Sequence, residues 1–175
     1  MVYLKKYLSL LSVAGLVVVL DQWTKWFVRT NIPLQGSWLP DSLSWLSPYA
    51  RFVFIYNKGA AFGMFQDANL ILTILAFLVF GGILYYYAQI EPHDRWMRLA
   101  AALYLGGVLG NLIDRLTMGK VTDFISVGNF YIFNIADASI NVGVVVLLIA
   151  FWMNERNKAS QITNNEVLST SGESQ

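Results

Sequence analysis

Read from one charged residue to the next, the chain shows four long apolar runs, at 7–20, 68–90, 99–113 and 138–154. Asp21 closes the first; Asp67 and Glu91, Arg98 and Asp114, and Asp137 and Glu155 bracket the others. A helix needs about 20 residues to cross about 30 Å of hydrocarbon. Only the second run is that long, so each of the other three helices takes an ionisable residue into one end. Trp23, Trp26, Phe27 and Val28 carry the apolar face of the first helix past Asp21. The pattern predicts a membrane α-helical protein with four transmembrane helices at about 7–29, 68–90, 97–116 and 136–154, forming one domain over residues 1–154.

Lys5 and Lys6 before a short apolar run also fit a secretory leader. No small-x-small cleavage site closes that run, and 21–25 continues its helical register, which favours a retained first helix.

The connections are unequal. In the loop over 31–67, Phe52-Val53-Phe54-Ile55-Tyr56 is β-prone and follows Trp38, Trp45, Pro48 and Tyr49, which predicts a short strand or small sheet at the membrane interface. The small residues and glycines of Asn57-Lys58-Gly59-Ala60-Ala61-Phe62-Gly63 allow close backbone approach, suited to covering or lining a site. The loop over 117–135 reads as a hairpin turning at Gly128 and Asn129. The first and third loops together predict a small β-containing extracytoplasmic cradle. Residues 155–175 are polar and predict a disordered cytoplasmic tail.

Composition narrows the chemistry. The chain is 56% hydrophobic and 13% charged, against about 25% charged in soluble domains. A net charge of +1 gives no reason to expect nucleic acid as a partner. With no cysteine and one histidine, His93, there is no thiolate nucleophile and no multi-histidine zinc site. No cofactor and no metal are expected.

Helices alternate direction across a bilayer. The end of the first, the start of the second, the end of the third and the start of the fourth therefore share one membrane face. Asp21, Asp114, Arg115 and Asp137 fall there, together with both long loops. Lys5, Lys6, Arg95, Arg98, Arg156 and Lys158 lie at the other face and Arg51, Lys58 and Lys120 at the loop-rich one, so the positive-inside rule favours cytoplasmic termini and an outward-looking site.

If Val127 faces Phe130 in the hairpin, Asp123 faces Asn134. Asn134 is a good N-cap for the fourth helix and places Asp137 at its third position, in a capping-box arrangement near the positive end of the helix dipole. Taken singly, Asp137 is an ordinary capping acid and Asp123 an ordinary loop acid. Taken together, two neighbouring carboxylates sharing one proton supply both a base for water and an acid for a carbonyl, so that amide hydrolysis needs no serine, cysteine or metal.

The other polar residues keep two readings. Asp21 and Lys25, at i,i+4, form either a helix-surface pair or a brace at the outer end of the bundle. Asp114 reads as structural support; Asn111 and Arg115, also at i,i+4, read as support or substrate contact. Asn141 reads as a helix-packing group, His93 as a solvated one, and Gly106, Gly107 and Gly110 as close helix packing rather than phosphate binding. A proton-coupled carrier would need polar groups through both halves of the bundle, whereas helix 2 has no ionisable residue. A non-catalytic membrane scaffold is the remaining rival.

Five blocks in order, Asp21-Gln22-Trp23-Thr24-Lys25, Asn57 to Gly63, Gly106-Gly107-Val108-Leu109-Gly110-Asn111-Leu112-Ile113-Asp114-Arg115, Val121-Thr122-Asp123-Phe124-Ile125 and Phe133-Asn134-Ile135-Ala136-Asp137, make the chain resemble the lipoprotein signal peptidase (signal peptidase II) family. The resemblance covers all but the tail. It implies a bacterial inner-membrane aspartyl endopeptidase that removes signal peptides from prolipoproteins, cutting just before a diacylglyceryl-modified cysteine. It implies Asp123 and Asp137 as the catalytic dyad, with Asn57, Asn111, Arg115 and Asn134 around the substrate channel and Asp21, Lys25 and Asp114 as supports. Its implied partners are the lipidated precursor, membrane lipid and globomycin-like cyclic peptide inhibitors. The connection between the two aspartates is compact for the family.

Overall fold

The buried residues of the first helix, α1 (Val2–Asn31), include Leu10, Ala14, Val17, Asp21, Lys25 and Val28, in steps of three and four. That spacing is one helix face. Two charged residues thus occupy positions in the packing stripe itself. Leu8, Leu11, Leu16, Val19, Trp23 and Trp26 are exposed on the remaining surface, the inside-out distribution expected when the solvent is lipid. The computed structural model describes residues 2–59, 69–128 and 131–172.

Helix α2 (Asn69–Gln89) buries only Thr73 and Tyr87. Helix α3 (Arg95–Met118) is the centre of the bundle and packs against α1, α2 and the fourth helix, α4 (Ile135–Gly172). Asp94 caps α3 by accepting the Met97 N–H at 3.1 Å. Gly119, left-handed at φ 69°, ends it and donates its N–H to the Arg115 carbonyl at 3.1 Å. All four helices are long and apolar enough to cross a membrane.

The glycines of α3 set its approach to its neighbours. A Cβ on Gly106 would lie 2.7 Å from the Val17 Cβ, and one on Gly107 would lie 2.5 Å from the Ala136 carbonyl oxygen. These residues serve close helix packing, as the sequence suggests.

Two features differ from expectation. Helix α4 runs on to Gly172 through the stretch whose composition predicts disorder. No proline or glycine lies between Gly143 and Gly172, and extending an existing helix avoids the cost of nucleating a new one.

The second concerns the sheet. Strands β1 (Ser37–Trp38), β2 (Ala50–Asn57) and β3 (Val121–Val127) form an antiparallel sheet in that order, with a 3-10 turn at Asp41–Leu46 between the first two. The cradle is therefore built by pairing the first loop with the third. Ala50 faces Val127, Ile55 faces Asp123 and Asn57 faces Val121, with a register shift between Phe52 and Ile55. The expected hairpin register is one residue out: Ile125 bridges Phe133. Its turn residue Asn129 and the expected partner Phe130 lie outside the described residues. The ladder of β3 is committed to β2, so the returning chain adds one bridge before α4 begins. Val28 of α1, Phe54 of β2 and Phe124 of β3 share an apolar cluster that seats the sheet on the end of the bundle.

Candidate active site

The first turn of α4 organises the site. Asn134 caps it, its Oδ1 accepting the Asp137 N–H at 3.0 Å, while Asp137 Oδ2 accepts the Asn134 N–H at 3.2 Å. This is the reciprocal capping box the spacing predicts. A third early N–H, that of Ala136, is satisfied by Asp21 Oδ1 of α1 at 2.9 Å. The helix start, which would otherwise leave amides unpaired, is thus locked to α1.

Behind that turn lies a buried charge cluster. Lys25 and Asp21, both fully buried, pair at 2.8 Å, and Lys25 lies 3.3 Å from Asp114. The surface-pair reading of Asp21 and Lys25 is therefore excluded. Gln22 donates to Asp21 Oδ2, to Asp114 Oδ1 and to the Gly110 carbonyl at 3.1, 3.2 and 3.0 Å. Asp114 Oδ2 also accepts the Thr122 N–H at 2.9 Å, and Arg29 donates to Thr122 Oγ1 at 3.1 Å. The cluster consequently pins the backbone of β3 one residue before Asp123.

A Cβ on Gly110 would lie 2.7 Å from Asp21 Oδ2. Gly110→Ala is expected to push that carboxylate off the α4 cap and cost about 1–3 kcal/mol, an overpacking loss. A lowered thermal unfolding midpoint in detergent checks it.

From the cluster, hydrogen bonds run outward to two further carboxylates. Lys25 Nζ donates to Asn111 Oδ1 at 2.9 Å, and Asn111 Nδ2 donates to Asp137 Oδ1 at 2.8 Å. Asn134 Nδ2 lies 2.7 Å from Asp123 Oδ1, 3.1 Å from Asn111 Oδ1 and 3.2 Å from the Thr122 carbonyl. Asn57 Nδ2 donates to Asp123 Oδ2 at 2.9 Å while its Oδ1 accepts the Gly59 N–H. Asn134 thus touches both Asp123 and Asp137, and the register-based proximity survives although the register itself does not.

Asp123 and Asp137 line one cavity of about 250 Å³ together with Asn57, Asn111, Arg115 and Asn141. Burial, and then the Asp137 carboxylate, push the Asp123 carboxyl up to about 7 against the donors Asn57 and Asn134. The Arg115 guanidinium lies in the field of Asp137, Asp123 and Asp114 and makes no side-chain hydrogen bond among the described residues. Asn141 is exposed on the cavity wall and donates to the Asp137 carbonyl at 2.9 Å, so it is no packing group. His93 stands 81% exposed beside Glu91 at the other end. Of the block from Asn57 to Gly63, residues 60–63 lie outside the described residues. Among the described residues no three His, Cys, Asp or Glu side chains group as a metal site.

Sequence reasoning passed over Gln22, Arg29, Tyr131 and Ile132. The signal for the first two was present: Gln22, Lys25 and Arg29 share the face on which Asp21 lies, at steps of three and four. Tyr131 and Ile132 line the cavity only because the chain returns across Ile125.

Four helices of spanning length among the described residues, with a polar cavity at one end beside a small sheet, define a multi-pass membrane protein. The sequence profile of the family described as signal peptidase (SPase) II matches residues 13–153. The chain is 39% identical over 150 residues to a lipoprotein signal peptidase of Halalkalibacterium halodurans, covering 82% of this chain and 92% of that protein. It is 34% identical over 156 residues to one of Streptococcus pneumoniae, covering 88% and 99%. A solved bacterial membrane enzyme superposes with a TM-score of 0.77 at 29% identity, over 86% of this chain and 91% of that one. The chain belongs to the signal peptidase II family, a family of proteases.

Proposed function

We propose that this protein removes signal peptides from lipoprotein precursors as an aspartyl endopeptidase, with Asp123 and Asp137 as its catalytic pair. The carrying observation is that Asn134 ties both carboxylates, from β3 and α4, to the wall of one cavity. Asp137 stands at the positive end of the α4 dipole and takes a proton from water. Asp123, whose carboxyl holds its proton up to about pH 7, gives it to the scissile carbonyl oxygen. Water adds to the carbonyl carbon; the tetrahedral species collapses as the C–N bond breaks, and the leaving amine receives the proton held on Asp137. Giving up that proton returns Asp137 to its carboxylate, and one hydroxyl proton of the tetrahedral species passes back to Asp123 as the product acid forms, with no covalent intermediate.

Asn57 and Arg115 present amide and guanidinium donors to the cavity and suit the carbonyls of an extended peptide. Cleavage falls just before a diacylglyceryl-modified cysteine, whose lipid holds the bond at a fixed depth and raises its effective concentration. Cyclic peptides of the globomycin kind occupy the same cavity and compete. The site faces outward from the bacterial inner membrane, with both termini in the cytoplasm. Residues 1–154 form the peptidase domain.

The test is cleavage of a lipidated precursor by the purified chain in liposomes, with proton flux followed in parallel. Cleavage without flux is expected; flux without cleavage sinks the reading in favour of a carrier. A second expectation concerns pH. If Asp123 must carry a proton, kcat/KM falls as pH rises through about 7, because ionisation removes the acid. A profile flat between pH 5 and 9 would count against Asp123 as the acid.

A further inference from the structure

At the end of the bundle opposite the carboxylates, a cavity of about 350 Å³ opens along α1 and α3, lined by Ser9, Val13, Arg95, Arg98, Leu99 and Ala102. Its lining changes with depth. Arg95, Arg98 and Ser9 come first; Leu99, Ala102 and Val13 lie up to about one turn, or about 6 Å, further into the hydrocarbon. Trp96 is 49% exposed beside the arginines, as befits the headgroup level.

The cationic end is built rather than incidental. Arg98 is held by Ser9 Oγ at 2.7 Å, by the hydroxyl of fully buried Tyr87 at 3.2 Å and by the Pro92 carbonyl at 3.1 Å. Arg95 is exposed and has no ion pair among the described residues. The nearest acid in sequence, Asp94, spends one oxygen on the Met97 N–H and the other on Asn154 Nδ2 at 2.8 Å. Glu91 lies 3.2 Å from His93.

We propose that this groove binds one anionic phospholipid, with its phosphate on Arg95 and Arg98 and one acyl chain over Leu99, Ala102 and Val13. A free phosphate leaves the apolar depth of the groove unfilled. A zwitterionic lipid brings its own cation against two guanidiniums. An anionic lipid meets both halves of the lining, and basic residues at the headgroup level attract such lipids.

The test uses the full chain purified in detergent, with phosphatidylglycerol, phosphatidylcholine or inorganic phosphate added. Native mass spectrometry should retain one phosphatidylglycerol per chain, with a raised unfolding midpoint, and the other two additions should do neither. Arg95→Gln should weaken retention about fivefold, the loss of one basic contact. Leu99→Trp, which fills the groove and leaves every charge, should abolish it. Arg156→Gln, whose guanidinium lies 4.9 Å from the Trp152 ring on α4 and outside the groove, should leave it unchanged. Equal retention of phosphatidylcholine, equal weakening by Arg156→Gln and Arg95→Gln, or retention surviving both groove variants would each overturn the proposal.

Discussion

Asp123→Asn and Asp137→Asn are each expected to lower kcat for a lipidated precursor by about 10³-fold or more, the range of a positioned acid or base. Stability separates this from a folding defect. Asp123 is 1% exposed, and its carboxyl already holds its proton to about pH 7. An amide there removes repulsion from Asp137 and retains an oxygen for the Asn134 or Asn57 donor, so the unfolding midpoint at pH 8 should not fall. Asp137→Asn keeps one acceptor of two and loses about 1 kcal/mol, the worth of a hydrogen bond in a helix cap. Inactive variants with near-normal midpoints are the expected result. Full turnover in either one removes the catalytic pair from the account.

Lys25→Met is expected to be the most damaging single substitution for stability, at about 3–5 kcal/mol, because it strands buried carboxylates. Asp21 and Asp114 are both fully buried against the ammonium. Coupling gives the diagnostic. Combining Lys25→Met with Asp21→Asn should recover part of the loss, since the second change removes one stranded charge. Unfolding midpoints of the single and double variants check this, and an additive double variant would show that the three residues do not act as one cluster. The same substitution removes one of the two donors to Asn111 Oδ1, leaving only Asn134 to steady the amide that reaches Asp137.

Much of this was legible in the sequence for simple reasons. Span lengths and charge positions require Asp21, Asp114 and Asp137 to meet at one end of alternating helices. The three-residue step from Asn134 to Asp137 dictates the capping box. What escaped were features in which local spacing is shared by different environments. An i,i+4 Asp–Lys pair has one pattern whether it faces solvent or core, and only the buried stripe from Leu10 to Val28 places Asp21 and Lys25 inside. The hairpin register failed because a local rule sees only the nearest partner. The true partner of β3 is β2, 66 residues away where Asn57 meets Asp123, and the shift between Phe52 and Ile55 resets the alignment. The tail differs because a polar composition with no proline or glycine before Gly172 neither demands a core nor stops a helix.

The bond from Asp21 to the Ala136 amide spans 115 residues, and it bears on how the protein is made. Every group that shapes the carboxylate pair from the C-terminal side, Asp123, Asn134 and Asp137, is translated after α1, α2 and α3. The lysine, glutamine and two acids that pair within α1 and α3 are all translated before the Ala136 amide that Asp21 caps. If the proposed pair is the catalytic one, a chain lacking the fourth helix holds only Asp123 of the two carboxylates, so the last segment to be inserted is also the one that completes the site.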